Sequence, residues 1–139
     1  GYVQSEDSYV YFDKEGMVVS KSTALIEGLP CIEGINVKGI KLYSQLESED
    51  SKIFEEILEA SQEVAKYELS VDRIVCREDQ IYLYIGKVYV NLGNEVSSDQ
   101  VAQISPILEK LGDQEGTLHL ENYSEMSGTI TFDIGEIPQ

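Results

Sequence analysis

The chain contains one histidine, two cysteines and no tryptophan, and these scarcities remove most nucleophilic chemistry at the outset. A thiol or hydroxyl nucleophile needs a base beside it, most often histidine. The single candidate, His119, sits in Thr117-Leu118-His119-Leu120-Glu121. Alternation there puts Leu118 and Leu120 on one face and His119 on the other, toward solvent. Cys31 and Cys76 are too far apart for a CxxC pair and too few for a zinc site. One disulfide between them and two small buried thiols both fit. Nothing around Cys31 resembles a helix N-terminus that would depress its pKa. Both thiols are therefore expected to be buried and non-catalytic, Cys31 beside Ile32 and Cys76 beside Val75. No phosphate loop, GxSxG or HExxH occurs. Asp13-Lys14-Glu15-Gly16 lacks the further oxygens and the distal glutamate of an EF-hand. No catalytic residue, metal ligand or cofactor site is expected.

Basic residues are also scarce: 10 lysines and arginines face 26 acidic side chains, a net charge of −16. Such a surface repels phosphates and anionic headgroups, so neither nucleic acid nor direct membrane contact is expected of this domain. The carboxylates are spread along the chain, as solubilising charge is. With 26 of them, the paired carboxylates of a glycosidase single out no residues. No run approaches the roughly 18 apolar residues of a membrane span, and neither a span nor a signal peptide is expected within these residues. The chain opens without methionine and reads as a fragment of a longer protein.

What is present suffices for one domain. With 139 residues, 42% of them hydrophobic, folding buries about 70% of the unfolded surface. Ile81, Leu83 and Ile85 alternate with Tyr82 and Tyr84, Gly86-Lys87 fits a type II′ loop, and Val88, Val90 and Leu92 resume the pattern. A first hairpin is predicted from Tyr9–Phe12 to Met17–Val19 around the Asp13–Gly16 turn. Further strands are predicted at 70–75, 117–121 and 129–134. Ile53, Ile57, Ala60 and Val64 recur at helical spacing within 50–67, with acidic residues at the start, where the dipole favours them. A second helix is predicted over 97–111, with Ser97 and Gln100 at capping-box spacing and Gly112 as its stop. Pro106 should kink or break it. The fold class is α+β: a mostly antiparallel sheet with two main helices packed on it. The ends, about 1–7 and 136–139, are expected to fray. Tyr82, Tyr84 and Tyr89 share one face, which suits either an interface or cover by a helix, the second being favoured.

Tyr11-Phe12-Asp13-Lys14-Glu15-Gly16-Met17-Val18, followed by Leu29-Pro30-Cys31-Ile32-Glu33-Gly34-Ile35, resembles the start of the extracytoplasmic β domain of FtsQ/DivIB bacterial cell-division proteins. A helix, then Ile81-Tyr82-Leu83-Tyr84, Val90-Asn91-Leu92-Gly93, a second helix and a last pair of strands continue the pattern to about Ile134. In such a segment proline fixes the backbone, Ile32 and Ile35 bury, and Gly34 permits a tight turn, with Cys31 at a variable position. The resemblance implies a parent with one membrane span and a POTRA domain, both absent here, and a location outside the membrane at the division septum. It implies a non-catalytic divisome scaffold that binds FtsB/DivIC-type and FtsL-type partners. A smoother second helix and a less acidic surface are usual in that family. The alternative is an extracytoplasmic cell-wall hydrolase that uses acidic residues.

The partner site is expected on the last strand, 128–135, with the preceding strand end at Tyr123 beside it. The strand is last in the chain, alternates cleanly, and carries no lysine or proline between its glycines, the usual guards of a sheet edge. Ile130, Phe132 and Ile134 would anchor it while free backbone groups face outward to a partner strand. By the resemblance, Tyr123, Thr129, Ile130, Thr131 and Phe132 match the partner-binding stretch. On that reading Thr131→Pro removes a donor from the partner.

Overall fold

In the computed structural model, residues 1–5, 8–13, 15–25, 30–35, 37–38, 42–44, 47–48, 51–123, 128 and 130–138 are described. Lys14, Leu29, Asp50 and Thr129, each part of an expectation above, lie outside them. The strands and helices follow in the order β1 (Tyr2–Ser5), β2 (Ser8–Phe12), β3 (Val18–Ser22), β4 (Cys31–Glu33), β5 (Val37–Lys38), β6 (Glu47–Ser48), α1 (Ser51–Lys66), β7 (Arg73–Arg77), β8 (Gln80–Ile85), β9 (Val88–Gly93), α2 (Ser98–Leu111), β10 (Gly116–His119) and β11 (Thr131–Ile134). Among the described residues nine strands form one sheet in the order β11-β10-β9-β8-β7-β4-β1-β2-β3, and β5 pairs with β6 apart from it. The class is α+β, with a mostly antiparallel sheet. Three joins are parallel: β1 with β4, β4 with β7 and β9 with β10. Parallel neighbours need a long crossover, and α1 and α2 supply it for the last two.

The hairpin of β8 and β9 turns on Gly86, whose φ is +58°, while Lys87 keeps a negative φ. That pattern is the type II′ turn read from the sequence. A second tight turn joins β7 to β8 through Glu78 and Asp79, both at positive φ (52° and 62°), the type I′ signature. The first hairpin is closed by Asp13, whose Oδ1 accepts from the Glu15 and Met17 amides at 2.9 and 3.0 Å.

Both helices cover one face of the sheet. Ile53, Phe54, Ile57, Ala60 and Val64 of α1, with Val101 and Ile104 of α2, enter one cluster with Ile74, Ile81, Leu83, Val90, Leu92 and Leu118. Ile57, fully buried, contributes roughly 1.5–3 kcal/mol by leaving water. No acidic residue stands in the first turn of α1 itself; Glu49 and Asp50, which precede it in the sequence and carry that expectation, lie outside the described residues. In α2 the capping box forms as expected, Ser97 accepting from the Gln100 amide and Gln100 from the Ser97 amide. Pro106 does not break the helix, which runs from Ser98 to Leu111. The proline lies on the exposed face, where the carbonyl it leaves unpaired has water within reach.

Residues 1–5 do not fray, and 6–7 lie outside the described residues. Tyr2–Ser5 form β1, paired along its length with β2 and joined to β4, because Val3 inserts into the core and the Tyr2 ring packs on Tyr9 and Tyr11, both 5.6 Å away. Neither do residues 136–138 hang free. The Ile137 amide donates to Glu115 Oε2, Ile137 packs on the tyrosine cluster, and the Pro138 carbonyl accepts from the Tyr84 hydroxyl at 2.7 Å.

Candidate partner-binding edge

β11 is the outermost strand at one end of the sheet, and among the described residues its only strand neighbour is β10. The strand is shorter than expected, Thr131–Ile134, and the preceding strand ends at His119 rather than at Tyr123. One further bond, Leu120 N–H to the Asn91 carbonyl at 3.0 Å, carries the ladder past that end.

The phase of the β10–β11 ladder decides which backbone groups face outward. Gly135 N–H donates to the Glu115 carbonyl at 3.0 Å. In an antiparallel pair, bonded and non-bonded positions alternate. With Thr117 opposite Asp133 and His119 opposite Thr131, the amides of Thr131 and Asp133 also point inward to β10. The outward groups are those of Phe132 and Ile134. Thr131→Pro would therefore break the domain's own ladder, and the expectation that Thr131 donates to a partner is corrected.

Side-chain placement corrects a second point. Ile130 and Phe132 pack against the core as expected, but Ile134 is 75% exposed. It stands opposite Gly116, which offers no side chain to pack on. Gly116 in turn is a close-approach position, since a Cβ there would meet the Asp133 carbonyl and the Phe132 ring. Tyr123 lies in the turn after β10, partly buried against the core, its amide bonded to the Leu120 carbonyl. Thr131 is exposed.

The opposite edge is guarded. At the start of β3 the Val18 amide donates to Ser44 and its carbonyl accepts from Tyr43, at 2.9 and 2.7 Å. Lys21 sits further along that strand. β11 carries neither guard among its described residues.

The face away from the helices is built in register. Tyr2 stands opposite Cys31, Cys31 opposite Arg73, Arg73 opposite Tyr84, Tyr84 opposite Tyr89 and Tyr89 opposite Thr117, and paired residues share a face. Among the described residues no helix covers Tyr82, Tyr84 and Tyr89, contrary to the favoured reading. The helices instead take the aliphatic face, and the tyrosines pack on one another and under Ile137. Tyr82 stacks on Tyr89 with centroids 4.5 Å apart, and Arg77 donates to the Tyr84 and Tyr89 hydroxyls at 2.8 Å.

Neither cysteine forms a disulfide, and both are only half-buried, short of the full burial expected. Cys31 lies on the tyrosine face and Cys76, packed against the core, on the helix face, so the sheet separates them and the disulfide is ruled out. Burial, then the nearby Glu33, pushes the Cys31 thiol up, against the pull of the Tyr2 hydrogen bond and Arg73. Burial and the same thiol push the Tyr2 phenol up to about 12. A thiol so placed is a poor nucleophile. Ile32 is buried, as expected, whereas Ile35 is only partly buried.

A polar cleft of about 680 Å³ opens beyond the C-terminal ends of β9 and β10, lined among others by Glu56, Glu95, Gln100, Glu121 and Tyr123. Two of its carboxylates are engaged: Glu56 accepts from the Val96 amide and Glu121 Oε1 lies 2.8 Å from His119. No group of three or more metal-ligating side chains occurs among the described residues. No described helix is long and apolar enough to cross a membrane. No family model matches the chain, and no curated protein matches it either.

Proposed function

We propose that this chain is a non-catalytic scaffold domain that receives a strand of a protein partner along β11. The observation that carries the reading is the unguarded edge: β11 pairs on one side, with the amides of Phe132 and Ile134 directed away from β10. Main-chain bonds to such an edge supply affinity, and alternate side chains supply choice of partner. The setting is the one the resemblance implies, the extracytoplasmic β domain of an FtsQ/DivIB-type protein at the division septum, with FtsB/DivIC- and FtsL-type proteins as partners. Its support is the order of motifs from Tyr11 to Ile134 and an element order of strands, helix, strands, helix and strands. Tyr123, Thr129, Ile130, Thr131 and Phe132 remain the proposed binding stretch, with Ile134 now the residue that tests it.

Ile134→Pro removes an outward backbone donor at a position whose side chain is already exposed, so the domain keeps its fold. Binding to the soluble ectodomains of the FtsL- and DivIC-type proteins, measured calorimetrically, should weaken by about 1–3 kcal/mol, the scale of an unmade buried hydrogen bond. Unchanged affinity would remove β11 as the site, and no binding by the parent domain would remove those partners. The cleft favours a second reading, hydrolysis by paired carboxylates. Turnover of peptidoglycan fragments that is lost in Glu95→Gln would establish it.

A further inference from the structure

His119 is the only histidine of the chain, and its ring is held from both sides. Nδ1 lies 2.8 Å from Glu121 Oε1, and Nε2 lies 2.9 Å from Asp133 Oδ2. Glu121 follows two residues later in the same chain segment, whereas Asp133 reaches across from β11. A neutral imidazole carries one N–H, and an ionised carboxylate can only accept. Ionised carboxylates at bonding distance from both nitrogens therefore require both to carry protons. The geometry is that of an imidazolium.

Among the described residues the remaining surroundings are uncharged. Asn91 is the neighbour on β9 and Thr131 the residue opposite on β11. Beyond Glu121 lies the Tyr82 phenol, which burial and then the Glu121 charge push upward, so that it stays neutral. Among the described residues, Glu121 and Asp133 are the charged groups that act on the ring.

We propose that His119 is a proton-operated latch that fastens the edge strand β11 to the body of the sheet. With the imidazolium in place, Glu121 holds the ring from the β10 side and the ring holds Asp133 of β11. When the proton leaves, one N–H remains for two carboxylates, and one contact becomes a lone pair facing a negative oxygen. Glu121 makes that loss costly, because its Oε2 is buried with no partner among the described residues and Oε1 has His119 as its partner. β11 feels it most, since it is a four-residue strand with one neighbour and two exposed ends.

The direction of the pH effect follows from the ring's surroundings. Burial disfavours the charged ring, but Glu121 and then Asp133 outweigh it and hold His119 above its ordinary value of 6.5. A raised folded-state pKa gives stability that is fully present below 6.5 and is lost as pH rises through the raised value. β11 is thus held most firmly in mildly acidic solution and loosens on the alkaline side of neutrality. The latch acts on the strand assigned to a partner above, but it stands whether or not a partner binds there.

Residue-resolved NMR on the isolated chain tests it without any partner. The His119 ring should titrate above 6.5. Protection of the Thr131 and Asp133 amides, corrected for intrinsic exchange, should fall severalfold as pH crosses that titration, while Leu83 in β8 shows no step. Asp133→Asn, at a side chain 76% exposed and so safe for folding, should lower the His119 pKa and flatten the step. A His119 pKa at or below 6.5, or β11 protection that tracks Leu83 through the titration, would overturn the latch.

Discussion

The guanidinium carbon of Arg73 sits 4.0 Å from the centroid of the Tyr84 ring, and its Nη1 reaches Glu33 at 2.8 Å. Three strands, β4, β7 and β8, are thereby stitched on the face that carries no helix. A cation over an aromatic face gains about 0.5–1 kcal/mol at exposed sites and more when desolvated. Tyr84 is buried, so its ring is the fixed part of this arrangement and its hydroxyl, bonded to Pro138, is the point where the C-terminal tail is pinned.

Tyr84→Phe keeps the ring under Arg73 and removes only the hydroxyl. The Pro138 carbonyl loses its donor and Arg77 loses one of its two tyrosine acceptors. The expected cost is about 1 kcal/mol in urea unfolding. Local consequences should exceed global ones: ¹⁵N relaxation at Ile137 should report a released tail while β8 stays rigid. A rigid Ile137 in the variant would assign the tail's position to its packing alone.

Gly34 and Gly112 both hold positive φ, +82° and +64°, but only one is crowded. A Cβ on Gly34 would run into the Cys76 backbone carbonyl, whereas nothing lies within 4 Å of one on Gly112. Gly112→Ala should therefore cost only the strain of its backbone conformation, φ +64° and ψ −121°, about 1–3 kcal/mol. Gly34→Ala adds a backbone collision to its own strain and should cost clearly more than Gly112→Ala. Thermal unfolding of the two variants side by side checks the order. Equal costs would mean that β4 and β7 separate easily at this point.

Local pattern made much of this fold legible, and non-local pairing hid the rest. Strict alternation with a Gly-Lys turn fixed the β8–β9 hairpin, and Ser97 with Gln100 fixed the start of α2. β1 is not legible in the sequence because Tyr2-Val3-Gln4-Ser5 is short and half-polar, and its partners lie beyond it in the chain. The type I′ turn at Glu78-Asp79 carries none of the glycine or asparagine that marks such turns. Alternation also separated the tyrosine face from the aliphatic face of β8 and β9 without saying which one the helices would take. At the edge, hydrophobic alternation gave the core-facing side chains of Ile130 and Phe132. It could not give the hydrogen-bond phase, which is set where Gly135 meets Glu115 at the open end of the strand pair. His119 and Glu121, two apart in a strand-like run, were readable as one face, but Asp133 joins them only through strand pairing.

Gln100 performs two tasks that one substitution can separate. Its Oε1 accepts from the Ser97 amide and completes the capping box, while its Nε2 donates to the Leu92 and Leu120 carbonyls at 3.1 and 2.9 Å. Those carbonyls end β9 and end the run after β10, so the buried amide ties the parallel pair together where no ladder bond can. Glutamate at this position suits a capping box as well as glutamine does. If capping were the whole role, Gln100→Glu would be tolerated. The bridging geometry makes the opposite expectation. A carboxylate brings no donor, leaves two buried carbonyls unmet and sets a charge against them in a site only 3% exposed. Each unmet buried group costs about 1–3 kcal/mol. Ser97→Ala removes only the cap and should cost about 1 kcal/mol. Urea unfolding at pH 7 should thus rank Gln100→Glu at least ~2 kcal/mol below Ser97→Ala. Protonation of the new side chain restores one donor, so part of the deficit should return in mildly acidic solution. A Gln100→Glu variant as stable as the parent would reduce Gln100 to a cap.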